Sequence, residues 1–166
     1  MAITFGFYNS LNGDQKYSTD QFSQMFNGLI KDGIFASVGG ALLVSASTTP
    51  SMTLLVAPGR AWFNSTWINN DAVYPLTLDP SEIILKRYDA VVIEVNSSTR
   101  TNDIKIIKGT PASTPAYPVM ANSLYLHQYP LCYILVESSV TAIPQAKITN
   151  KVGTVACPYI TGLIDS

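Results

Sequence analysis

Beyond Ile34 the chain does not sustain an apolar pattern of helical period. Its apolar stretches are short and are cut repeatedly by Gly, Pro, Asn, Asp and Ser. Segments of this length, broken at hairpin spacing, can bury their apolar faces only as strands. The pattern predicts a mainly β domain of about seven to nine short strands, sandwich- or barrel-like. Expected strands cover 41–46, 52–56, 60–64, 66–69, 73–78, 89–95, 104–108 and 129–137. The pair 89–95 and 104–108 reads most clearly, because both are rich in Val and Ile and the linker between them is polar. In the first of these, Asp89, Val91, Ile93 and Val95 share one face, while Val92 and Glu94 share the other. Both faces are partly apolar, as in a strand covered on two sides. Asp79-Pro80-Ser81 is expected to open one helical turn. Residues 109–121 hold several prolines and read as an extended surface loop.

One segment does have a helical period. Phe22, Met25, Phe26, Leu29 and Ile30 fall on one face of a helix expected over 19–31, a stripe read as core contact with docking of a partner as the alternative. Ser18 and Gln21 form a capping box at its start, and Gly33 is placed to stop it in the left-handed conformation. Before it, residues 1–17 read as a docking arm in which Phe5, Phe7 and Tyr8 precede the turn-forming Asn12-Gly13. The domain organisation is thus an arm (1–17) and a single β-rich domain (18–166).

Charged residues make up only 13% of the 166-residue chain, against 47% apolar. A typical soluble domain carries about 25% charged residues. So little charge implies that part of the surface is covered by something else, with other copies of the chain as the simplest candidate. A net charge of −1 with no Lys/Arg run argues against a grip on nucleic acid. No apolar run approaches the ~20 residues that span a bilayer, so no membrane insertion is expected. The first residues lack the basic-then-apolar order of a signal peptide. Cys132 and Cys157 are read as free, half-buried thiols, too few for a disulfide framework.

No constellation of reactive groups stands out, and no catalytic residue, cofactor or metal is assigned. His127 is the one histidine and has no carboxylate or nucleophile near it in sequence. Asp89 and Glu94 lie on opposite faces of their strand, which keeps them from acting as a pair unless a bulge intervenes. Binding is better supplied. Trp62 and Trp67 flank Asn64-Ser65-Thr66 and meet across it if that triplet turns a hairpin. They would then suit stacking on a carbohydrate; the alternative is packing in the core or at a subunit contact.

Seven segments taken in order resemble one family. They are Phe5-Gly6-Phe7-Tyr8-Asn9-Ser10 with Asn12-Gly13-Asp14, Tyr17 to Phe22, Gly28 to Phe35, Val56 to Asn64, Tyr88 to Val92, Lys108 to Ala112, and Cys157 to Gly162. Together they are similar to the N-terminal domain of baseplate upper and tail-fibre proteins of tailed phages from Firmicutes and related bacteria. The resemblance implies a structural virion protein at the tail tip, made in the bacterial cytoplasm, that anchors a host-recognition fibre. It implies a homo-oligomer, with a trimer favoured, in contact with other tail and baseplate proteins. Related chains often continue into a stalk and a receptor-binding head. This sequence stops at Ser166, which leaves a stand-alone adaptor, a separate receptor-binding protein, and a fragment all open. The expected assembly contacts are Phe5, Phe7 and Tyr8 of the arm and Phe22, Met25 and Phe26 of the helix. Arg60, just past Pro58-Gly59, is expected to reach a carboxylate. The reading from another class is a carbohydrate-binding module for bacterial cell-wall polysaccharide, using Trp62 and Trp67.

Overall fold

The longest unbroken run of buried residues is strand β7 (Arg87–Asn96), in which every residue from Asp89 to Val95 is buried. The computed structural model describes residues 17–27 and 29–160; the arm residues Phe5, Phe7 and Tyr8 lie outside them. β7 pairs antiparallel with β8 (Thr101–Ile107) and β9 (Leu126–Val136), and β10 (Ile148–Asn150) closes the order β10-β9-β7-β8. Two smaller antiparallel sheets complete the fold. One is β1 (Gly33–Ile34), β4 (Gly59–Phe63) and β5 (Thr66–Asn70) in the order β1-β4-β5. The other is β2 (Val44–Ala46), β3 (Thr53–Val56) and β6 (Tyr74–Thr77) in the order β2-β3-β6. The protein is mainly β: the described residues hold ten strands in three antiparallel sheets, against the seven to nine expected. No helix among the described residues is long and apolar enough to cross a membrane.

The three sheets share one core. Ile34 and Phe63 come from the first small sheet, Leu54 and Val56 from the second, and Val91, Ile93 and Ile134 from the large one. A bulge in β9 makes this possible. Val91 pairs with Cys132 but Val92 pairs with Pro130, so Leu131 is the extra residue. Leu131 and Cys132 are consecutive and both fully buried in the core. The bulge moves the core-facing positions from odd to even numbers along the strand. It also accommodates Pro130, which has no N–H to give to a ladder. The second face of β7 is covered by the proline-rich segment 109–121. There Tyr117 packs between Tyr88 and Tyr133, with ring centroids 4.5 and 4.2 Å apart.

Several expectations need correction. The helix, α1 (Thr19–Phe26), has the Ser18–Gln21 capping box but stops well before residue 31. Asn27 turns to extended backbone at ψ 115°, and the residue after it is glycine, a poor helix former. Gly33 is not a helix stop. It lies in β1, where an added methyl would strike Pro158 O at 2.6 Å. That close approach lets Ile34 donate to Pro158 O (2.8 Å) and accept from Ile160 N–H (2.9 Å). Ala41 and Leu42 are not strand residues but sit at φ 53° and 55° in a buried turn, so the strand begins at Val44. Asp79-Pro80-Ser81 forms no helical turn. Both cysteines are fully buried, not half-buried, and burial pushes each thiol up to about 12.

In place of a helical turn, the backbone carbonyls at 79–80 are acceptors for Arg87. The Arg87 side chain is fully buried, as is that of Asp89. Its Nε donates to both Asp89 oxygens (2.9 and 3.1 Å), Nη1 to Pro80 O (2.9 Å) and Nη2 to Asp79 O (2.7 Å). Asp89 Oδ1 also accepts from Gly109 N–H at 2.9 Å. A methyl on Gly109 would run into the Tyr88 carbonyl oxygen, so glycine is needed for this approach. Removing one partner of a buried pair strands the other charge. Asp89→Ala is therefore expected to cost about 3–5 kcal/mol, read as a fall in the urea midpoint. Lys108→Ala, which removes only exposed pairs to Asp79 (3.3 Å) and Glu82 (3.6 Å), should cost about 1 kcal/mol or less in the same titration.

On the other face of β7, Glu94 accepts from Lys105 Nζ (2.6 Å) and Gln128 Nε2 (2.7 Å). Burial raises its pKa, but these two bonds and the Lys105 charge more than reverse that and leave it below its ordinary value. A depressed carboxylate stabilises the fold above its unfolded pKa, and the contribution is lost as pH falls through the folded one. Glu94→Gln should accordingly lower Tm at neutral pH. The difference from wild type should shrink as pH drops below the ordinary carboxylate range of about 4.

Candidate functional site

β4 and β5 form a hairpin through Asn64-Ser65, whose φ values are 49° and 60°. Two consecutive positive φ values are those of a type I′ turn, which matches the twist of the strands but is strained for residues other than glycine. Neighbouring elements hold the turn in place. Asp32 Oδ1 accepts from Asn64 N–H (3.2 Å), and Tyr129 donates its hydroxyl to Asn64 Oδ1 (2.7 Å). Ser65 Oγ donates to Asn27 Oδ1 (2.6 Å). The residue that ends α1 thus also braces the turn. Burial, then the charge of Asp32, raises the Tyr129 pKa and keeps its hydroxyl protonated as a donor.

The hairpin register sets Trp62 opposite Trp67, on the face away from the core; Ala61 and Phe63 point inward. Phe63 stacks on Tyr129 with centroids 3.9 Å apart. The two indoles differ in environment. Phe26 lies edge-on against Trp62 at 5.7 Å, and Trp62 Nε1 is buried with no acceptor among the protein groups. Trp67 is 65% exposed. A largely apolar cleft of about 460 Å³ runs between them, walled by Phe26, Ile30 and Phe35.

α1 contributes no buried residue to the core. Phe26 is engaged with Trp62 inside the chain, which leaves less of it for an assembly contact than the sequence reading gives it. Phe22 and Met25 are 45% and 39% exposed, and Phe22 meets Tyr17 edge-on at 6.2 Å. Arg60 finds an amide instead of a carboxylate: its Nε donates to Asn69 Oδ1 at 3.2 Å.

A second groove, of about 790 Å³, lies on the far side of Trp67, between β5 and the turn joining β7 to β8. Asn102 reaches across from β8, donating Nδ2 to Thr66 Oγ1 and to Trp67 O, both at 2.9 Å. Asn96 Oδ1 accepts from the N–H groups of Ser98 and Thr99 (3.1 Å each), folding the turn that carries Arg100 at φ 57°. His127 lines the same groove and shares a 2.8 Å hydrogen bond between Nδ1 and Asn122 Oδ1. Arg100, Asn96 and Asn102 escaped the sequence reading. They lie some thirty residues from Trp67, in a stretch that reads simply as a polar linker.

The bulge lies in β9, so it leaves Asp89 and Glu94 on opposite faces of β7, each engaged in its own hydrogen bonds. No group of three or more His, Cys, Asp or Glu side chains suited to a metal occurs among the described residues. Comparison with family models, curated proteins and solved structures gives no significant match.

The contrast between the two indoles is measurable. Trp62→Phe, which leaves only Trp67, should emit at long wavelength and be quenched readily by acrylamide. Trp67→Phe, which leaves Trp62, should emit at shorter wavelength and resist the quencher.

Proposed function

We propose that this chain is a structural subunit of a phage tail tip or baseplate. It assembles with copies of itself and with neighbouring tail proteins, and so anchors a host-recognition fibre. The observation that carries this reading is where the bare apolar side chains lie. Ile83 and Ile84 are 84% and 83% exposed and are followed by Leu85; Leu124 and Tyr125 form a second exposed pair. Single exposed apolar residues are ordinary on a monomer, but adjacent ones projecting from loops mark contact surfaces.

Near the first group lies an apolar hollow of about 540 Å³ lined by Met52, Leu78, Pro80 and Val140. Ser139 ties the two together, donating its N–H to Glu82 O (2.8 Å) and its hydroxyl to Ile83 O (2.9 Å). A projecting pair close to a hollow of matching chemistry suits a contact between copies, with the knob of one copy in the hollow of another. The copy number of three comes from the family resemblance alone. A chain with only 13% charged residues offers little repulsion to oppose it. The seven motif segments and their resemblance to baseplate and tail-fibre N-terminal domains supply the identity of the particle.

Sedimentation equilibrium tests the assembly, and immunogold microscopy of tailed particles from induced source cells tests the location. The expected results are a wild-type trimer and gold at one end of the tails. Full burial of an isoleucine contributes about 1.5–3 kcal/mol. Ile83→Asp/Ile84→Asp should therefore weaken association roughly a hundredfold or more while leaving the circular dichroism spectrum unchanged. A wild type that stays monomeric at high concentration, or tails that carry no label, would overturn the reading.

A further inference from the structure

We infer that the groove between β5 and the β7–β8 turn is a glycan-binding site, with Trp67 as its stacking platform and Arg100 as its grip on an acidic substituent. The inference goes beyond the assembly role and does not depend on it. A pyranose ring has a C–H face that packs on an aromatic ring and a rim of hydroxyls that needs planar donors and acceptors. The groove supplies both. Trp67 is 65% exposed, although its cross-strand partner Trp62 is covered. Around it, Asn69 and Asn96 use only their carbonyl oxygens within the chain, for Arg60 and for the 96–99 turn. Their Nδ2 groups remain available as donors.

Charge sets the ligand class further. Among the described residues, Arg100 is the one charged residue lining the groove, no carboxylate lines it, and Arg100 makes no ion pair. A guanidinium with no carboxylate near it among the described residues favours a carboxylate or phosphate group on the sugar. The volume of about 790 Å³ falls within the range of small-molecule sites, about 300–1,000 Å³. The competing occupant is an extended peptide added to the β5 edge. Strand addition needs the outward-facing carbonyls of that edge, and the Trp67 carbonyl is already taken by Asn102 Nδ2.

The test applies the full chain to a printed array of neutral and acidic bacterial surface oligosaccharides and titrates each hit by calorimetry. We expect binding to at least one saccharide, with acidic members preferred over their neutral counterparts. Trp67→Ala should weaken binding at least about tenfold. Arg100→Ala should abolish the acidic preference while sparing neutral binding, and Trp62→Phe should retain binding. Sedimentation of Trp67→Ala at unchanged mass would keep the result separate from assembly. The inference is overturned if no saccharide binds at millimolar concentration or if Trp67→Ala binds as wild type does. It is equally overturned if Trp67→Ala loses binding together with subunit association. Quenching of Trp67 by a synthetic peptide of residues 1–16, without any glycan response, would assign the groove to a peptide.

Discussion

The pair formed by Arg87 and Asp89 sets the terms for the rest of the fold. Two charges removed from water must have their remaining donors and acceptors met, or the cost exceeds their mutual attraction. Here the additional partners come from separate segments: the carbonyls of Asp79 and Pro80, and the N–H of Gly109. Meeting those requirements fixes the entry to β7 and the exit from β8 at one point. The loop that projects Ile83 and Ile84 leaves from one side of this point, and the proline-rich segment that covers β7 leaves from the other. A pair of this kind specifies an arrangement more than it stabilises one.

The remaining joints depend on close backbone approach. Gly33 lies against Pro158, Gly39 against Pro58 and Gly59 against Leu42, each where a methyl group would not fit. These contacts bind the small sheets to each other and to the end of the described chain. They bring together segments that sequence reading singled out separately: Gly28 to Phe35, Val56 to Asn64 and the stretch from Cys157. Tyr88 to Val92 and Lys108 to Ala112 likewise meet, through Asp89 and Gly109. Among the described residues, these motifs meet one another in the fold.

This explains what could be read in advance. The strands β7 and β8 were legible because alternation and β-branched residues act locally. The tryptophan hairpin was legible because a polar triplet between two aromatic strands is a local signal. Leu131 was not, since a bulge is decided by the register of a partner strand. Nor was the non-helical course of Asp79-Pro80: a backbone carbonyl engaged by a buried guanidinium leaves no mark on its own residue type. In the candidate site, Trp62 and Trp67 look equivalent in sequence. Phe26 and the early stop at Asn27 distinguish them, by covering one indole and leaving the other in water. The polar residues facing Trp67 are long-range neighbours whose linker composition gives no hint of it.

The two cysteines bear on how long such a protein lasts. Both thiols are fully buried, and burial pushes each up to about 12, which disfavours the thiolate at neutral pH. Oxidants and thiol–disulfide exchange act on the thiolate, and here they must also wait for the core to open. The folded chain can therefore sit in aerated, peroxide-bearing surroundings without crosslinking to its neighbours or needing a reductant. Its chemical shelf life is set by the rate of unfolding rather than by the redox state of the medium.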